Sequence, residues 1–263
     1  MDLGLMGKRA LVLASSRGLG AGIAAALVQE GADVILCGRN RDELAQRTSR
    51  LNDAGPGRAF FTEADLFQED VVERLTTTVS QIYGGALDIL VNNSGGPPPG
   101  RAADLTPDLL TTYFNAMVLR LIDLTHAVLP GMRERGFGRI LTVASSGIIE
   151  PIPGLALSNT LRPALSGWSK TLASEVAAEG VTVNMLLPGS ILTARLDDLD
   201  RRAAERSGRS LEAVRAESEA AIPAGRYGTT EEFGATAAFL LSERASYITG
   251  SMIRCDGGAA RSV

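Results

Sequence analysis

The chain is poor in lysine: of its 26 basic residues only two, Lys8 and Lys170, are lysines. Histidine occurs once, at His126, and cysteine twice, at Cys37 and Cys255. With no His/Cys cluster there is nothing from which to build a zinc or copper site or a disulfide framework, so no metal is expected. The two cysteines stand in apolar runs and read as small core residues, and His126 reads as a helix-face residue. No apolar stretch reaches the roughly 18 residues needed to span a bilayer, which argues against a membrane partner. A surplus of positive charge is also missing. Thirty acidic residues outnumber the basic ones for a net charge of −4, so nucleic acid is not expected as a partner. The opening M-D-L-G-L-M-G-K-R breaks its apolar stretch at once and does not read as a signal peptide; a cytoplasmic location is the expectation.

What is present is an alternation. Short apolar runs occur at Ala10 to Leu13, Asp33 to Cys37, Ala59 to Thr62, Ile89 to Asn92, Arg139 to Ala144, Val181 to Leu187 and Met252 to Cys255. Amphipathic stretches bounded by glycine or proline lie between them. Runs without period-2 alternation, separated by helices, predict strands of a parallel sheet buried on both faces. The expectation is a doubly wound α/β fold of the Rossmann type, mostly a seven-stranded parallel sheet with helices on both faces. The 263 residues show no linker or repeat, so they read as one domain, 1–263. Thr193 to Gly225 departs from the rhythm. It is charged and helix-prone and follows a strand end, where such sheets bind ligands; a solvated helical hairpin and a mobile substrate lid are equally weighted for it.

The first strand runs into L-A-S-S-R-G-L-G and then a helix predicted over Ala21 to Gln29. Glycines at such a junction let the backbone approach a pyrophosphate, and the N–H groups and dipole of the helix N-terminus favour its charge. A pair of glycines alone is weak. Its spacing, however, resembles the T-G-x-x-x-G-x-G fingerprint of the short-chain dehydrogenase/reductase family, with Gly18 and Gly20 matching the last two glycines and Ala14 replacing the first. If that position needs positive φ, alanine costs about 1–2 kcal/mol there.

The resemblance continues in order along most of the chain. D-I-L-V-N-N-S-G-G is similar to the family's N-N-A-G segment, with Asn92 and Gly95 matching and Ser94 in place of alanine. Asn115 falls where the family keeps a catalytic asparagine, and Ser145, with Ser146 as the fallback, where it keeps the catalytic serine. P-G-S-I-L-T, from Pro188 and Gly189 through Ile191 to Thr193, falls where the nicotinamide carboxamide is held. Asp65, beside Leu66, matches the residue set against the adenine. The resemblance thus implies a nicotinamide cofactor touching Ala14, Ser16, Arg17, Gly18, Leu19 and Gly20 as well. At the end of the second strand an NAD enzyme carries an acid for the ribose 2′-hydroxyl, but this chain reads C-G-R-N-R-D. Arg39 there, with Arg17 in the glycine loop, would clamp a 2′-phosphate by charge-assisted bonds, so NADP(H) is expected ahead of NAD(H).

The resemblance fails at the proton-handling pair. Aligning S-G-W-S-K-T-L-A-S-E-V with the family's helix puts its tyrosine at Ser158 and its lysine, four residues on and on the same helix face, at Arg162. None of the four tyrosines has a lysine at the fourth position beyond it, and Lys170 lies about 12 Å farther along the helix than Arg162. A serine hydroxyl is a far weaker acid than a phenol, and arginine stays protonated. Arg162 can still hold the ribose and stabilise a developing alkoxide, while Ser145, thirteen residues before Ser158, can orient a carbonyl oxygen. The resemblance is to a divergent branch of 3-oxoacyl-carrier-protein reductases. Two readings follow. One is an NADP(H)-dependent oxidoreductase acting on a small carbonyl or alcohol substrate with an unusual proton donor. The other is a catalytically impaired NADP(H)-binding protein with a sensing or structural role. The first is favoured, because hydride transfer without the acid is slowed rather than abolished. The family also implies a homo-oligomer, tetramer or dimer, through helices around Thr106 to Gly131 and Leu155 to Glu179. The run Gly95 to Gly100 is expected as a stiff loop, either shaping a substrate pocket or serving as a plain connector.

Overall fold

A computed structural model describes residues 1–262. Seven strands form one sheet: β1 (Arg9–Val12), β2 (Asp33–Gly38), β3 (Ala59–Glu63), β4 (Ile89–Asn92), β5 (Gly138–Val143), β6 (Val181–Pro188) and β7 (Met252–Cys255). Their order is β3-β2-β1-β4-β5-β6-β7, and every pairing is parallel. Strands β4 and β5 are buried at every position, which explains why their sequences carry no alternation. Alternation survives only as a choice of core. Leu11, Ile35 and Leu90 face one hydrophobic cluster, while Ala10, Val12, Val34, Leu36, Ile89 and Val91 face the other. The edge strand β7 is partly exposed throughout.

The helices are α1 (Gly18–Gln29), α2 (Arg41–Ala54), α3 (Val71–Tyr83), α4 (Pro107–Phe114), α5 (Arg120–Glu134), α6 (Ala156–Val176), α7 (Ala194–Ser207), α8 (Leu211–Ala220) and α9 (Thr230–Leu240). Residues of α3, α5 and α6 join the first cluster, and those of α1, α2 and α9 the second. Among the described residues no helix is long and apolar enough to cross a membrane. The first helix begins at Gly18, three residues before the predicted Ala21. First-turn N–H groups need no intrahelical partner, so glycines that would weaken a helix interior are tolerated there, and the strand-to-helix loop is correspondingly short. Cys37 is a core residue whose burial pushes its thiol up to about 12, whereas Cys255 is only half-buried. His126 is exposed on α5.

Helix α1 lies against α9 with almost no space between backbones. A Cβ on Gly22 would stand 2.4 Å from the Thr230 carbonyl oxygen, and one on Gly234 would stand 2.4 Å from the Gly22 carbonyl oxygen. Both obstacles are backbone, so a methyl group there forces the helices apart. Gly22→Ala should therefore destabilise the fold by about 1–3 kcal/mol, the usual cost of overpacking, despite alanine's advantage of about 1 kcal/mol as a helix former. Urea unfolding checks it; an unchanged or raised midpoint would mean the helices separate freely.

The charged segment after β6 is not a solvated hairpin alone. Asp200, Ala204 and Val214 of α7 and α8 are buried, as is Tyr227 beyond them. The Tyr227 hydroxyl donates to Asp200 Oδ2 at 3.2 Å, and Arg215 pairs with both Asp197 and Asp200. These contacts hold α7 and α8 against the body of the protein.

Candidate active site

All strands are parallel, so every strand-end loop with a predicted site residue emerges on one edge of the sheet. Chain order reverses between β1 and β4, opening a crevice at their carboxyl ends where sheets of this kind receive ligands. The β1 loop is fastened from three sides. The hydroxyl of fully buried Ser15 donates to Val12 O at 2.7 Å and accepts from Cys37 N at 3.0 Å, tying the loop to β2. Across the crevice Asn93 Nδ2 donates to Leu13 O at 3.2 Å and Ala14 O at 3.3 Å. On the third side Thr193 stands against Gly18, 3.7 Å from where its Cβ would be.

The backbone here is shaped for close approach. Ala14 has φ 47°, alone among the non-glycine residues described in taking a positive value, and Gly18 has φ 61°. A Cβ on Gly20 would lie 2.5 Å from the Ala14 carbonyl oxygen. The positive φ at position 14 is the geometry that suits the glycine of the family pattern, and alanine occupies it under strain. Ala14→Gly should stabilise the protein by roughly 0.5–1 kcal/mol, because relief of about 1–2 kcal/mol outweighs the added unfolded-state entropy of about 0.4–1 kcal/mol. Thermal unfolding checks it, and a lower Tm would show that the strain is illusory. Helix α1 carries no side-chain cap from Arg17 and no acid in its first turn, so its N–H groups and dipole are available to an anion. Ser16 and Leu19 are half-buried in the same turn.

Arg17 and Arg39 are both exposed, and neither forms an ion pair among the described residues. Arg39 borders an open cleft of about 710 Å³ with Glu63, Asp65 and Arg74. Asp65 accepts from Phe67 N at 3.1 Å through one carboxylate oxygen and Leu66 lies half-buried beside it. At the end of β4 the expectation for Asn92 needs correction. Its side chain is fully buried and its Nδ2 donates to Thr125 on α5 at 3.0 Å, so it braces the sheet; the adjacent Asn93 reaches the glycine loop. Ser94 is half-buried and Gly95 has φ 70°. Beyond β6, a Cβ on Gly189 would stand 2.6 Å from Asp256 Cα, Ile191 is buried, and Pro188 closes the strand. Thr193 caps α7 by accepting from Leu196 N at 3.2 Å.

The proton-handling positions meet at the ends of β4 and β5. Ser158 and Arg162 are buried on one face of α6. The Arg162 guanidinium donates from one nitrogen to Val143 O at 2.8 Å and from the other to Gly95 O at 2.7 Å, joining the two strand ends. Burial, reinforced by the charge of Arg195, pushes its pKa down to about 10, so it stays protonated at neutral pH. Ser145 Oγ accepts from Gly147 N at 3.0 Å, which leaves its own proton to donate. The loop after it is held by Asn159, which bonds both N and O of Ile152 at 3.2 and 2.8 Å. Asn115 is exposed and opens a π turn, Asn115–Leu119, that packs against α6; such turns mark sites where a helix is locally re-aimed. Sequence reasoning missed Ser15, Asn93, Asn159 and Arg195. The doubled asparagine of N-N-S-G-G is a signal that could have found Asn93; the others stand in no pattern.

A family sequence model described as enoyl-(acyl carrier protein) reductase matches residues 13–260, spanning nearly all of this architecture. The chain belongs to the short-chain dehydrogenase/reductase family. This short-chain dehydrogenase/reductase is 34% identical over 257 residues to human dehydrogenase/reductase SDR family member 4, covering 97% of this chain and 88% of that one. It is 33% identical over 261 residues to a 3-oxoacyl-[acyl-carrier-protein] reductase of Vibrio harveyi, covering 97% and 98%. Its structure matches that of L-sorbose reductase from Gluconobacter frateurii, complexed with NADPH and L-sorbose, with a TM-score of 0.94 and 30% identity over 100% of both chains.

Proposed function

We propose that this short-chain dehydrogenase/reductase is an NADP(H)-dependent oxidoreductase that interconverts a carbonyl and its alcohol without the family's tyrosine acid. The observation that carries this reading is the Arg162 fork, which holds the β4 loop and the β5 end together over the crevice while keeping a positive charge beside Ser158. The chemistry of the crevice fits the cofactor. Gly18, Leu19 and Gly20, with Ala14 and Ser16, give a close-approach backbone at an open helix N-terminus; Arg17 and Arg39 offer unpaired guanidiniums for a 2′-phosphate; Asp65 and Leu66 frame an adenine. Ser94 and Gly95 would line the ribose side, and Pro188, Gly189, Ile191 and Thr193 would receive the carboxamide. When bound, NADPH supplies the hydride.

The chain's own groups then act on the substrate oxygen. Ser145 donates a hydrogen bond to that oxygen, and Arg162 stabilises the negative charge that grows on it. Arg162 acts as a fixed charge rather than as the proton donor, because it stays protonated at neutral pH and its terminal nitrogens are engaged with Val143 O and Gly95 O. Ser158 and Asn115 position the water that does. Helices α7 and α8 form the substrate lid, hinged at the Thr193 cap. The experiment is a calorimetric titration with NADPH and NADH, followed by a carbonyl panel monitored for NADPH oxidation. Micromolar NADPH binding with turnover of at least one ketone supports the reading; tight binding with no turnover on any member establishes the sensing or structural role instead. That role draws on the same fork, since two of the five guanidinium N–H donors are already engaged with backbone.

A further inference from the structure

Two guanidiniums converge on the loop after β4, and neither has a carboxylate partner. Arg195, in the first turn of α7, donates to Pro97 O at 2.6 Å, and its Nε lies 3.0 Å from where a Cβ of Gly96 would stand. Arg162 holds Gly95 O of the same loop. Among the described residues neither arginine has an acid within 4.0 Å. The nearby acids of α7 are engaged elsewhere: Asp197 with Arg201 and Arg215, and Asp198 with Arg202. Buried Arg139 also lacks an acid, but three backbone carbonyls, those of Gly138, Gly180 and Ser242, accept from it. Arg195 makes one such bond and keeps four N–H donors.

Placing two like charges close together in a half-buried crevice is unfavourable. Burial lowers the pKa of Arg195, and its charge in turn lowers that of Arg162. An anion bound beside them would relieve this repulsion, and the planar fork of a guanidinium matches the two oxygens of a carboxylate. We propose that the substrate is an oxo acid or hydroxy acid whose carboxylate is bound by Arg195, with the Arg162 charge behind it. Arg195 thereby becomes a specificity-determining residue, on the stem of the lid, that couples binding of the acid to the Gly96–Pro97 loop. This rests on the oxidoreductase reading only for the identity of the carbonyl; the anion preference stands on the arginines.

The test is a binding measurement. Protein saturated with NADP⁺ is titrated calorimetrically with four- to six-carbon 2-oxo and 3-oxo acids and with their methyl esters, as wild type, Arg195→Met and Arg195→Lys. Wild type is expected to bind at least one acid roughly tenfold more tightly than its ester, the worth of one charge-assisted bond. Arg195→Met should abolish that preference at unchanged NADP⁺ affinity, and Arg195→Lys should keep part of it. Equal binding of acid and ester, or binding of neither, overturns the proposal. Loss of NADP⁺ affinity in Arg195→Met overturns it too, by assigning the arginine to the cofactor's phosphates. If Arg195→Met does not fold, the acid-to-ester ratio of wild type and of Arg195→Lys decides. An acid-over-ester preference with no NADPH consumption on any carbonyl of the panel would refute the oxidoreductase reading and leave the anion site standing, whereas turnover of neutral ketones with no acid preference would do the reverse.

Discussion

Replacing Ser158 by Tyr and Arg162 by Lys together is expected to raise kcat/KM on carbonyl substrates by about 10²–10⁴-fold, the range that a positioned general acid contributes. The two positions lie on one face of α6, four residues apart, at the mouth of the crevice where Ser145 offers its hydroxyl. A phenol at position 158 would extend from that face toward the same oxygen, and an ammonium at 162 would lower its pKa. The wild-type site has no such acid: a serine hydroxyl is far weaker than a phenol, and the Arg162 guanidinium is committed to Val143 O and Gly95 O. A pH profile separates the two regimes. Wild-type kcat should be nearly flat through neutral pH, while the double variant's reduction rate should fall as pH rises through the new phenol's pKa, because only the protonated tyrosine delivers a proton. Arg162→Lys alone should lose stability by about 1–3 kcal/mol, since one ammonium cannot serve both Val143 O and Gly95 O as the fork does. A folded double variant that binds NADPH yet gains neither rate nor a pH limb would show that the crevice no longer places a substrate beside α6.

Which parts of this site were legible in sequence follows from what each part is made of. The strands were legible to within a residue or two because burial on both faces forces unbroken apolar runs, as in Ile89–Asn92. The strain at position 14 was legible as a condition, an alanine in a glycine's place, and the φ of 47° fulfils it. The start of α1 was misplaced because two glycines in a first turn look like loop. Asn92 was singled out and Asn93 passed over because identical neighbouring letters do not say which side chain turns toward α5 and which toward β1. The π turn at Asn115 leaves no mark in a 3.6-residue periodicity when one turn merely widens. Arg195 was invisible for a different reason. It sits in a stretch where arginines and acids alternate and pair, and only the folded chain shows that Asp197 and Asp198 bond other arginines and leave it without a carboxylate.

Arg39→Asp is expected to reverse the cofactor preference, weakening NADPH binding by about 100- to 10,000-fold while NADH binding holds or improves. The argument begins with position. Arg39 directly follows the last residue of β2, the point from which an acid reaches the ribose 2′-hydroxyl in NAD-binding sheets of this topology. An arginine there meets a 2′-phosphate through charge-assisted bonds worth about 1.5–3 kcal/mol, and an aspartate exchanges that attraction for a repulsion of similar size. At 1.4 kcal/mol per tenfold, the sum of about 3–6 kcal/mol corresponds to about two to four decades. The surroundings sharpen the effect. The cleft beside Arg39 also carries Glu63, Asp65, Glu69 and Asp70, and only Asp70 is paired within it, with Arg74 at 2.9 Å. Arg39 is thus the unpaired positive charge on an otherwise acidic wall, and removing it would leave a dianionic phosphate facing that wall. Arg17→Ala should weaken NADPH by a smaller factor, about tenfold, because it removes a donor without adding a negative charge. Fluorescence titration of both nucleotides against wild type and the two variants measures this directly. Equal NADPH affinity in wild type and Arg39→Asp would place the 2′-phosphate elsewhere and remove the basis for an NADP(H) preference in this chain.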